Sequence, residues 1–239
     1  MTGRLFGLGV GPGDPELMTL KALRLLRAAP VVAYPAPSGA ESFARSIVAE
    51  FLTPGQIELR IEVPMSPDPQ QAIGAYEAGA AAVAAHLDAG RDVALLCQGD
   101  PFFFGSFMYL FGLLTTRFEI EVVPGVSSMM AGAAATGVPL VSRDDVMTVV
   151  PATLPESELR SMFENASGIA ILKLGRHFTK VRNLLDSLGL ADQARYVERV
   201  SLPNQRLLPL MDVDPATVPY FSMILVHRRL NPWTREEIR

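Results

Sequence analysis

Two turns with the sequence Gly-Asp-Pro carry residue types that are suited to holding a ligand. Gly13-Asp14-Pro15 ends a loop with glycine at positions 7, 9, 11 and 13, and Gly99-Asp100-Pro101 follows the apolar run 93–97. An uninterrupted apolar run is typical of a strand buried on both faces of a parallel sheet, and open α/β sheets bind ligands beyond the carboxyl ends of their strands. Asp before Pro is also a helix N-cap pattern, but two such turns in one chain favour a ligand-binding role.

The glycine loop fits neither of two familiar nucleotide-binding motifs. Counting GxGxxG from Gly7 places Pro12 at the third glycine, and counting from Gly9 places Asp14 there. The Gly-Lys-Ser or Gly-Lys-Thr of a Walker loop is also missing from the sequence. We expect the alternating glycines to let a ligand approach the backbone without a Cβ in the way.

A third candidate segment spans residues 124–135, where small side chains dominate. The pattern predicts a helix against which another backbone or a ligand lies closely. Ser127 and Ser128 place two hydroxyls at its start. Each is either a helix cap or a ligand contact.

Strands and helices alternate along the chain, which predicts an α/β fold. Asp100 is expected to cap a helix through Phe107 and Phe111, and Asp14 to cap a helix whose buried side includes Leu20. A proline-rich loop should end a strand over 31–34. The pattern restarts near 139–145, so we expect two α/β domains, residues 1–120 and 121–239, the second with a mixed sheet.

The composition is that of a globular chain without a basic surplus. Of 239 residues 49% are apolar, and the formal net charge is −4, which disfavours nucleic acid as a partner. The single cysteine, Cys97, leaves no internal disulfide and no CxxC site, and no metal is expected. Neither a membrane-span pattern nor a signal-peptide pattern is found, so the expected location is the cytoplasm.

Taken together, the two Gly-Asp-Pro turns and the Pro-Gly-Val-Ser segment resemble the tetrapyrrole methylases, which use S-adenosylmethionine to methylate uroporphyrinogen and the precorrins. The resemblance extends from the glycine loop, 7–14, to a closing strand over 221–226. Through segments 32–35, 63–68 and 99–109 the chain is most similar to the group that methylates C20 of precorrin-2 in cobalamin biosynthesis. Gln98 and Phe104 stand where that group usually has glutamate and tyrosine.

The resemblance implies a homodimer whose protomer has two αβα domains and binds the cofactor in the cleft between them. Phe103 and Leu174 would cover the adenine ring, and the carboxylate of Asp100 would lie near the sulfonium cation. The positions that match the family's cofactor contacts are Pro12, Gln98, Gly99, Asp100, Phe103, Ser127, Ser128, Leu174, Val200 and Ser201.

For the reaction, the resemblance implies an in-line methyl transfer that depends on alignment and on exclusion of water. Asp100 and Tyr34 are the candidate catalytic residues. Tyr34, Met65 and Asp68 stand at strand ends, where we expect contacts with the substrate. Arginine suits the carboxylates of a tetrapyrrole, and the candidate is Arg143, with Arg117 and Arg45 as further possibilities.

No general base can be identified from the sequence. His86 is expected on the surface of a helix, His177 as a cap at a helix start, and His227 at the end of the last strand. Several functions stay open: the cobalt form of the substrate, another precorrin carbon, ribosomal RNA or a diphthamide precursor as substrate, and a binding module without turnover. The acidic charge balance disfavours RNA.

Overall fold

The computed structural model describes residues 1–64 and 69–228. Two of the substrate candidates, Met65 and Asp68, lie outside the described residues. The chain forms two compact units, one from Met1 to Ser127 and one that begins at Ser128. Each unit contains a five-stranded sheet.

The sheet of the first unit is built from β1 (Leu5–Gly9), β2 (Val31–Pro37), β3 (Ile57–Val63), β4 (Val93–Cys97) and β5 (Ile120–Val123). All strand pairs are parallel, in the order β3-β2-β4-β1-β5. Every residue of β1 and of β4 is buried, as strands in the middle of a covered parallel sheet must be. This confirms the interpretation of the apolar run 93–97.

Helices cover both faces of this sheet: α1 (Leu20–Ala28), α2 (Phe43–Ile47), α3 (Pro69–Asp88) and α4 (Phe107–Leu114). Leu26 of α1 packs in one cluster with Leu8, and Leu110 of α4 packs in the cluster on the other face with Leu95. The chain therefore leaves β1 across one face and leaves its neighbour β4 across the other. The crevice beyond the carboxyl ends of two such strands is where open α/β sheets bind ligands.

The second unit contains β6 (Met147–Pro151), β7 (Gly168–Leu172), β8 (Ala194–Glu198), β9 (Arg206–Pro209) and β10 (Ser222–His227), with α5 (Ser128–Thr136), α6 (Glu156–Glu164) and α7 (Phe178–Ser187). The sheet order is β6-β7-β10-β8-β9, and only β6 and β7 pair in parallel. Phe163 of α6 and Phe178 of α7 pack with Ile171 on one face. On the other face Gly132 lets α5 approach Met223 closely, as its small side chains predicted.

The first unit ends after β5, because β5 pairs with β1 in the sheet of that unit. Leu5 of β1 pairs with Ile120 of β5, so the first unit continues past residue 120, the predicted boundary, to Ser127. β9 has no counterpart in the sequence prediction, because a strand of four mostly exposed residues carries no periodic apolar signal.

Asp100 does not cap α4, and this sequence prediction is wrong. The helix begins at Phe107, after a turn in which Phe104 has a φ of 55°. A left-handed residue cannot be part of a right-handed helix. Asp100 and the first residue of α4 are therefore separated by an irregular segment, in which Gly105 packs against Cys97.

Two further local predictions are wrong: the helix expected directly after Asp14, and the end of the second strand before Pro35. Asp14 caps only a short 3-10 turn over Pro15–Leu17, and α1 begins after Thr19, with Leu20 exposed. The strand β2 continues through Pro35 and Pro37, where it pairs with β3 but no longer with β4. Proline is tolerated there because one side of the strand has no ladder to interrupt.

Candidate functional site

The glycine loop and the second Gly-Asp-Pro turn meet at the carboxyl ends of β1 and β4. The Gly99 N–H donates to the Gly11 carbonyl at 2.7 Å, and the Gly11 N–H returns a longer bond of 3.4 Å to the Gly99 carbonyl. Val10 donates to the Cys97 carbonyl at 3.0 Å. Two segments far apart in sequence thus form one continuous backbone surface at the switch point of the sheet.

Asp100 connects this surface to a third loop, the Pro-Gly segment that follows β5. Its Oδ1 accepts the Phe102 N–H at 2.9 Å and its Oδ2 accepts the Gly125 N–H at 3.0 Å. The carboxylate therefore holds the Gly-Asp-Pro turn against the Pro-Gly segment that follows β5. This gives Asp100 a positioning role, where the sequence suggested a helix cap or a charge beside a ligand.

The glycines of the site serve loop packing more than ligand access. A Cβ on Gly125 would lie 2.0 Å from the Gly99 carbonyl oxygen, and one on Gly9 would lie 2.5 Å from the Gly125 nitrogen. Gly99 is different: its φ of 68° favours glycine, yet a Cβ there would meet nothing within 4 Å. The alternating glycines were expected to let a ligand approach the backbone, but the space beside Gly9 is filled by Gly125. The space beside Gly99, a backbone contact implied by the resemblance, is open.

Ser127 provides an unusual polar group at the same edge. The residue is 7% exposed, and within the described part of the chain its buried Oγ has no hydrogen-bond partner. A buried hydroxyl without a partner costs free energy, so native proteins rarely keep one without a reason. Phe103, half-buried, lies edge-to-face on Phe104 with ring centroids 5.1 Å apart, while Pro12 is buried in the glycine loop and Gln98 is half-buried.

In the second unit, Leu174, Val200 and Ser201 follow the carboxyl ends of β7 and β8, which point the same way because both strands are antiparallel to β10. Lys173, Arg199 and Ser201 there have positive φ values of 59°, 49° and 61°. Non-glycine residues in this conformation are strained and concentrate at functional sites. This edge of the sheet is thus a second candidate site region.

The burial of the predicted residues at this edge differs. Leu174 has no exposed surface and belongs to the core of the unit, and Val200 is 5% exposed. The expectation that the Leu174 side chain covers an adenine ring is corrected accordingly. Ser201 is half-buried, and its N–H donates to Gln205 Oε1 at 2.8 Å. Ser128, the other predicted cofactor position of this unit, is the first residue of α5.

Sequence reasoning missed a buried carboxylate at the end of β8. Glu198 is 1% exposed, and it accepts hydrogen bonds from Tyr196, Arg199 and Arg206. Burial and the bond to Glu198 raise the pKa of the Tyr196 phenol. The signal available in the sequence was a glutamate directly after the apolar residues of a strand, followed at once by arginine.

Tyr34 is buried in a hydrogen-bonded triad of the first unit. Its hydroxyl donates to Glu58 Oε2 at 2.9 Å, and Arg45 binds both Glu58 oxygens, also at 2.9 Å. Burial, and then the bond to Glu58, raise the pKa of Tyr34, while the bonds from Arg45 lower the pKa of Glu58. Tyr34 is therefore a neutral donor committed to Glu58, and Arg45 is committed to the same carboxylate.

The other two arginine candidates, Arg117 and Arg143, lie at the amino-terminal ends of strands, away from the carboxyl ends where the predicted cofactor residues lie. Arg117 precedes β5, binds Asp88 at 3.1 Å and covers the Phe118 ring at 4.9 Å. Arg143 precedes β6, whose first residue pairs with the start of β7, so it lies across the sheet from Ser201. Neither is brought together with the predicted cofactor residues of its own unit.

None of the three histidines has the setting of a general base. His86 Nδ1 receives the Arg91 Nε–H at 3.1 Å, and His177 stands at the N-cap position of α7 without a side-chain cap bond. Burial lowers the pKa of both imidazoles. His227 is buried at the end of β10 with its Nε2 3.3 Å from Asp145 Oδ2.

The described residues contain neither a metal-binding cluster nor a membrane-spanning helix. No group of three or more His, Cys, Asp or Glu side chains there is arranged to hold a metal ion. In the same part of the chain, no helix is long and apolar enough to cross a membrane.

The two sheets, with a glycine loop and a Gly-Asp-Pro turn joined at a switch point, define an α/β protein whose candidate ligand site in the first unit lies at the carboxyl ends of β1 and β4. Residues 4–212 match the family model of tetrapyrrole (corrin/porphyrin) methylases, and the chain belongs to this family. A solved structure with the same fold is the uroporphyrin-III C-methyltransferase of Thermus thermophilus complexed with S-adenosylhomocysteine. Its TM-score is 0.67 at 30% identity, with 94% of this chain and 97% of that chain covered.

Three relatives are similar to this chain over almost its whole length. The precorrin-2 C(20)-methyltransferase of a Sinorhizobium species is 42% identical, over 94% of this chain and 95% of the relative. The cobalt-precorrin-2 C(20)-methyltransferase of Salmonella typhimurium is 32% identical, with 96% and 98% covered. The cobalamin biosynthesis protein CobIJ of Mycobacterium bovis is 45% identical over 94% of this chain, which spans only 46% of that longer protein.

Proposed function

We propose that this protein transfers a methyl group from S-adenosylmethionine to C20 of precorrin-2, giving precorrin-3A, in cobalamin biosynthesis. The observation that carries the proposal is the buried Ser127 hydroxyl, which has no hydrogen-bond partner among the described residues. It lies two residues after Gly125, which packs on Gly9 and Gly99 at the switch point of the sheet. The 42% identity to a precorrin-2 C(20)-methyltransferase of nearly equal length favours this substrate.

The residues of the first unit fit S-adenosylmethionine. The cofactor supplies an electrophilic methyl group on a sulfonium sulfur, and it carries hydroxyl, amino and carboxylate groups that need polar partners. Ser127 Oγ is such a partner, and the open side of Gly99 leaves its backbone accessible. The half-buried ring of Phe103 offers an apolar surface. Pro12 and Gln98 complete the contacts that we propose in this unit.

In the second unit we propose contacts from Ser128 and Ser201, the two hydroxyl residues among the predicted positions. Leu174 and Val200 lie beneath this edge in the core, so they fix the shape of the backbone that presents Ser201. The positive φ at Ser201 and at its neighbours Lys173 and Arg199 supports this assignment.

The residues of this chain contribute to the reaction by aligning the cofactor with the substrate. A meso carbon of a reduced tetrapyrrole is electron-rich, so the protein must hold the reactants in line and exclude water. Asp100 contributes by keeping three loops in register through Phe102 and Gly125. Tyr34 contributes by fixing Glu58 and Arg45. Contacts from Met65 and Asp68 stay part of the proposal, whereas Arg143, which precedes β6 at the other end of its sheet, does not.

Cobalt-precorrin-2 is the second candidate substrate. The Salmonella relative with that name is 32% identical over almost the whole of both chains. The lower identity makes the metal-free substrate our first choice. A comparison of both forms in one assay decides between them.

The proposal is tested by turnover without oxygen. Purified protein receives methyl-labelled S-adenosylmethionine and precorrin-2 generated in situ, with and without cobalt, and the product mass is measured. We expect one labelled methyl per tetrapyrrole, with the metal-free form preferred. Tight S-adenosylhomocysteine binding in calorimetry without methyl transfer to either form would instead indicate another substrate or a binding module.

We further propose a cytoplasmic homodimer. Several large apolar side chains on two helices in contact are exposed in the first unit: Ile73 on α3, and Met108, Tyr109 and Leu113 on α4. Exposed apolar side chains on neighbouring helices support a protein partner. Light scattering decides whether the mass in solution is twice the 25.9 kDa of the chain or equal to it.

A further inference from the structure

The end of β8 carries a buried carboxylate shared by two arginines. Glu198 Oε1 accepts Arg199 Nη1 at 2.7 Å and Arg206 Nη1 at 3.3 Å, and Oε2 accepts the Tyr196 hydroxyl at 2.6 Å. Glu198 is 1% exposed, whereas the side chains of Arg199 and Arg206 are 36% and 52% exposed. One buried anion therefore anchors two guanidinium groups that both reach the surface.

The charges of this cluster do not balance. One carboxylate faces two permanent cations, so the cluster of Glu198, Arg199 and Arg206 has a net charge of about +1. Each guanidinium has five N–H donors, and Glu198 takes only one nitrogen of each. Arg45 and Arg117 differ, because each is paired with a carboxylate of its own.

The cluster lies beside exposed aromatic rings. The Arg199 N–H donates to the Phe221 carbonyl at 2.9 Å, and the Tyr220 and Phe221 rings, both exposed, meet edge-to-face at 5.3 Å. Ser201, a proposed cofactor contact, is two residues from Arg199. Cationic and flat apolar surfaces are thus adjacent at the proposed reaction edge of the second unit.

We propose that Arg199 and Arg206, held by Glu198, bind carboxylate side chains of the tetrapyrrole substrate. Arginine binds carboxylates in a bidentate geometry, and an arginine already fixed by a buried anion loses less conformational entropy on binding. The inference rests on the proposed function, since a tetrapyrrole with many carboxylates is the ligand that needs such a site. It assigns a role in substrate recognition to residues outside the cofactor contacts.

The test uses the full chain with Arg206→Gln and Arg199→Gln. Arg195→Gln is the matched control, because Arg195 lies on β8 with Glu198 and, among the described residues, binds carbonyl oxygens of Asp192 and Ala194 and no carboxylate. We expect KM for precorrin-2 to rise about tenfold in each test variant, the effect of losing one charge-assisted contact. The kcat and the dissociation constant of S-adenosylhomocysteine should stay within about twofold, and the control should match the wild type.

A second measurement does not depend on turnover. Binding of uroporphyrin III, which carries only carboxylic acid side chains, is compared with binding of its methyl ester by fluorescence quenching. The wild type should prefer the acid, and both arginine variants should lose most of that preference. Unchanged KM and unchanged acid preference would overturn the proposal, as would an equal loss of S-adenosylhomocysteine binding. Failure of the wild type to methylate C20 would overturn the proposed function alone.

Discussion

Two buried serines of the first unit have opposite hydrogen-bonding states. Ser42 Oγ donates to the Pro35 carbonyl at 2.6 Å and accepts the Arg45 N–H at the start of α2. Ser127 Oγ is buried to a similar degree without such a partner among the described residues. A structural hydroxyl and a hydroxyl kept for a ligand should respond differently to removal.

Ser127→Ala should weaken S-adenosylhomocysteine binding about tenfold without lowering the stability of the free protein. Its hydroxyl has no hydrogen bond to lose within the described part of the chain, and removing a buried unpaired polar group is neutral or favourable. Ser42→Ala should show the reverse, a loss of about 1 kcal/mol in the free energy of unfolding with unchanged binding. Calorimetry and denaturant unfolding measure both. Unchanged affinity in Ser127→Ala would remove Ser127 from the cofactor site.

The Tyr34–Glu58–Arg45 triad should make stability depend on pH. The bonds from Arg45 hold the pKa of Glu58 below its usual range. The stabilisation is therefore present above the unfolded pKa of about 4.3 and is lost as the pH falls through the folded value. We expect Glu58→Gln to lower the free energy of unfolding by about 0.5–1 kcal/mol at pH 7, and by almost nothing well below pH 4.

The control for this prediction is Glu62→Gln on the same strand. Glu62 is more exposed and receives a single hydrogen bond of 3.2 Å from Arg60, so the change at pH 7 should be less than about 0.5 kcal/mol. Urea unfolding at several pH values gives both series. A Glu58→Gln difference that persists at low pH would show that the triad acts through packing.

At the residue scale, the sequence indicated which positions lie near the site but not what each one does there. Asp100 was found from its motif, yet its bond to Gly125 joins residues far apart in sequence, and no local pattern predicts it. Tyr34 was expected to face the substrate, whereas its hydroxyl is held by Glu58 from the neighbouring strand. Such pairings depend on strand register, which one sequence does not reveal.

At the scale of elements, the glycine loops are closely packed. Gly9, Gly99 and Gly125 bring three loops into backbone contact, and a Cβ on Gly125 would be 2.0 Å from a carbonyl oxygen. Because that obstacle is backbone, it cannot move aside as a flexible side chain would. The three loops are expected to shift together when one glycine is replaced.

Gly125→Ala should therefore destabilise the protein by about 1–3 kcal/mol and weaken S-adenosylhomocysteine binding at least tenfold. Gly112→Ala is the control: it lies in α4, and a Cβ there meets nothing within 4 Å. Replacing a helical glycine without strain should raise stability by about 0.4–1 kcal/mol. Thermal unfolding and calorimetry test the pair, and normal affinity in Gly125→Ala would contradict the packing argument.

Elements were predicted well wherever periodicity or a continuous apolar run was strong. The apolar run 93–97 is β4, and the closing strand expected over 221–226 is β10, Ser222–His227. Prediction failed where tertiary contacts override local signals. Pro35 continues β2 because β3 pairs with it, and the segment after Asp100 is irregular because Gly105 packs on Cys97.

At the scale of the whole molecule, alternating strands and helices were enough to predict two α/β units. The two Gly-Asp-Pro turns together with the Pro-Gly-Val-Ser segment were enough to suggest the family. The composition could not indicate the substrate. That information lies in a few side chains at strand ends, including Arg199 and Arg206, whose shared anchor on Glu198 is visible only in the folded chain. The position of the transferred methyl group therefore has to be measured.

The most direct measurement follows the methyl group to its carbon atom. Precorrin-2 labelled with carbon-13 at C20 is incubated without oxygen with the protein and methyl-labelled S-adenosylmethionine, and the product is examined by NMR. We predict a one-bond coupling between the new methyl carbon and C20. A methyl group on any other carbon, or no transfer while S-adenosylhomocysteine still binds, would contradict the proposed function.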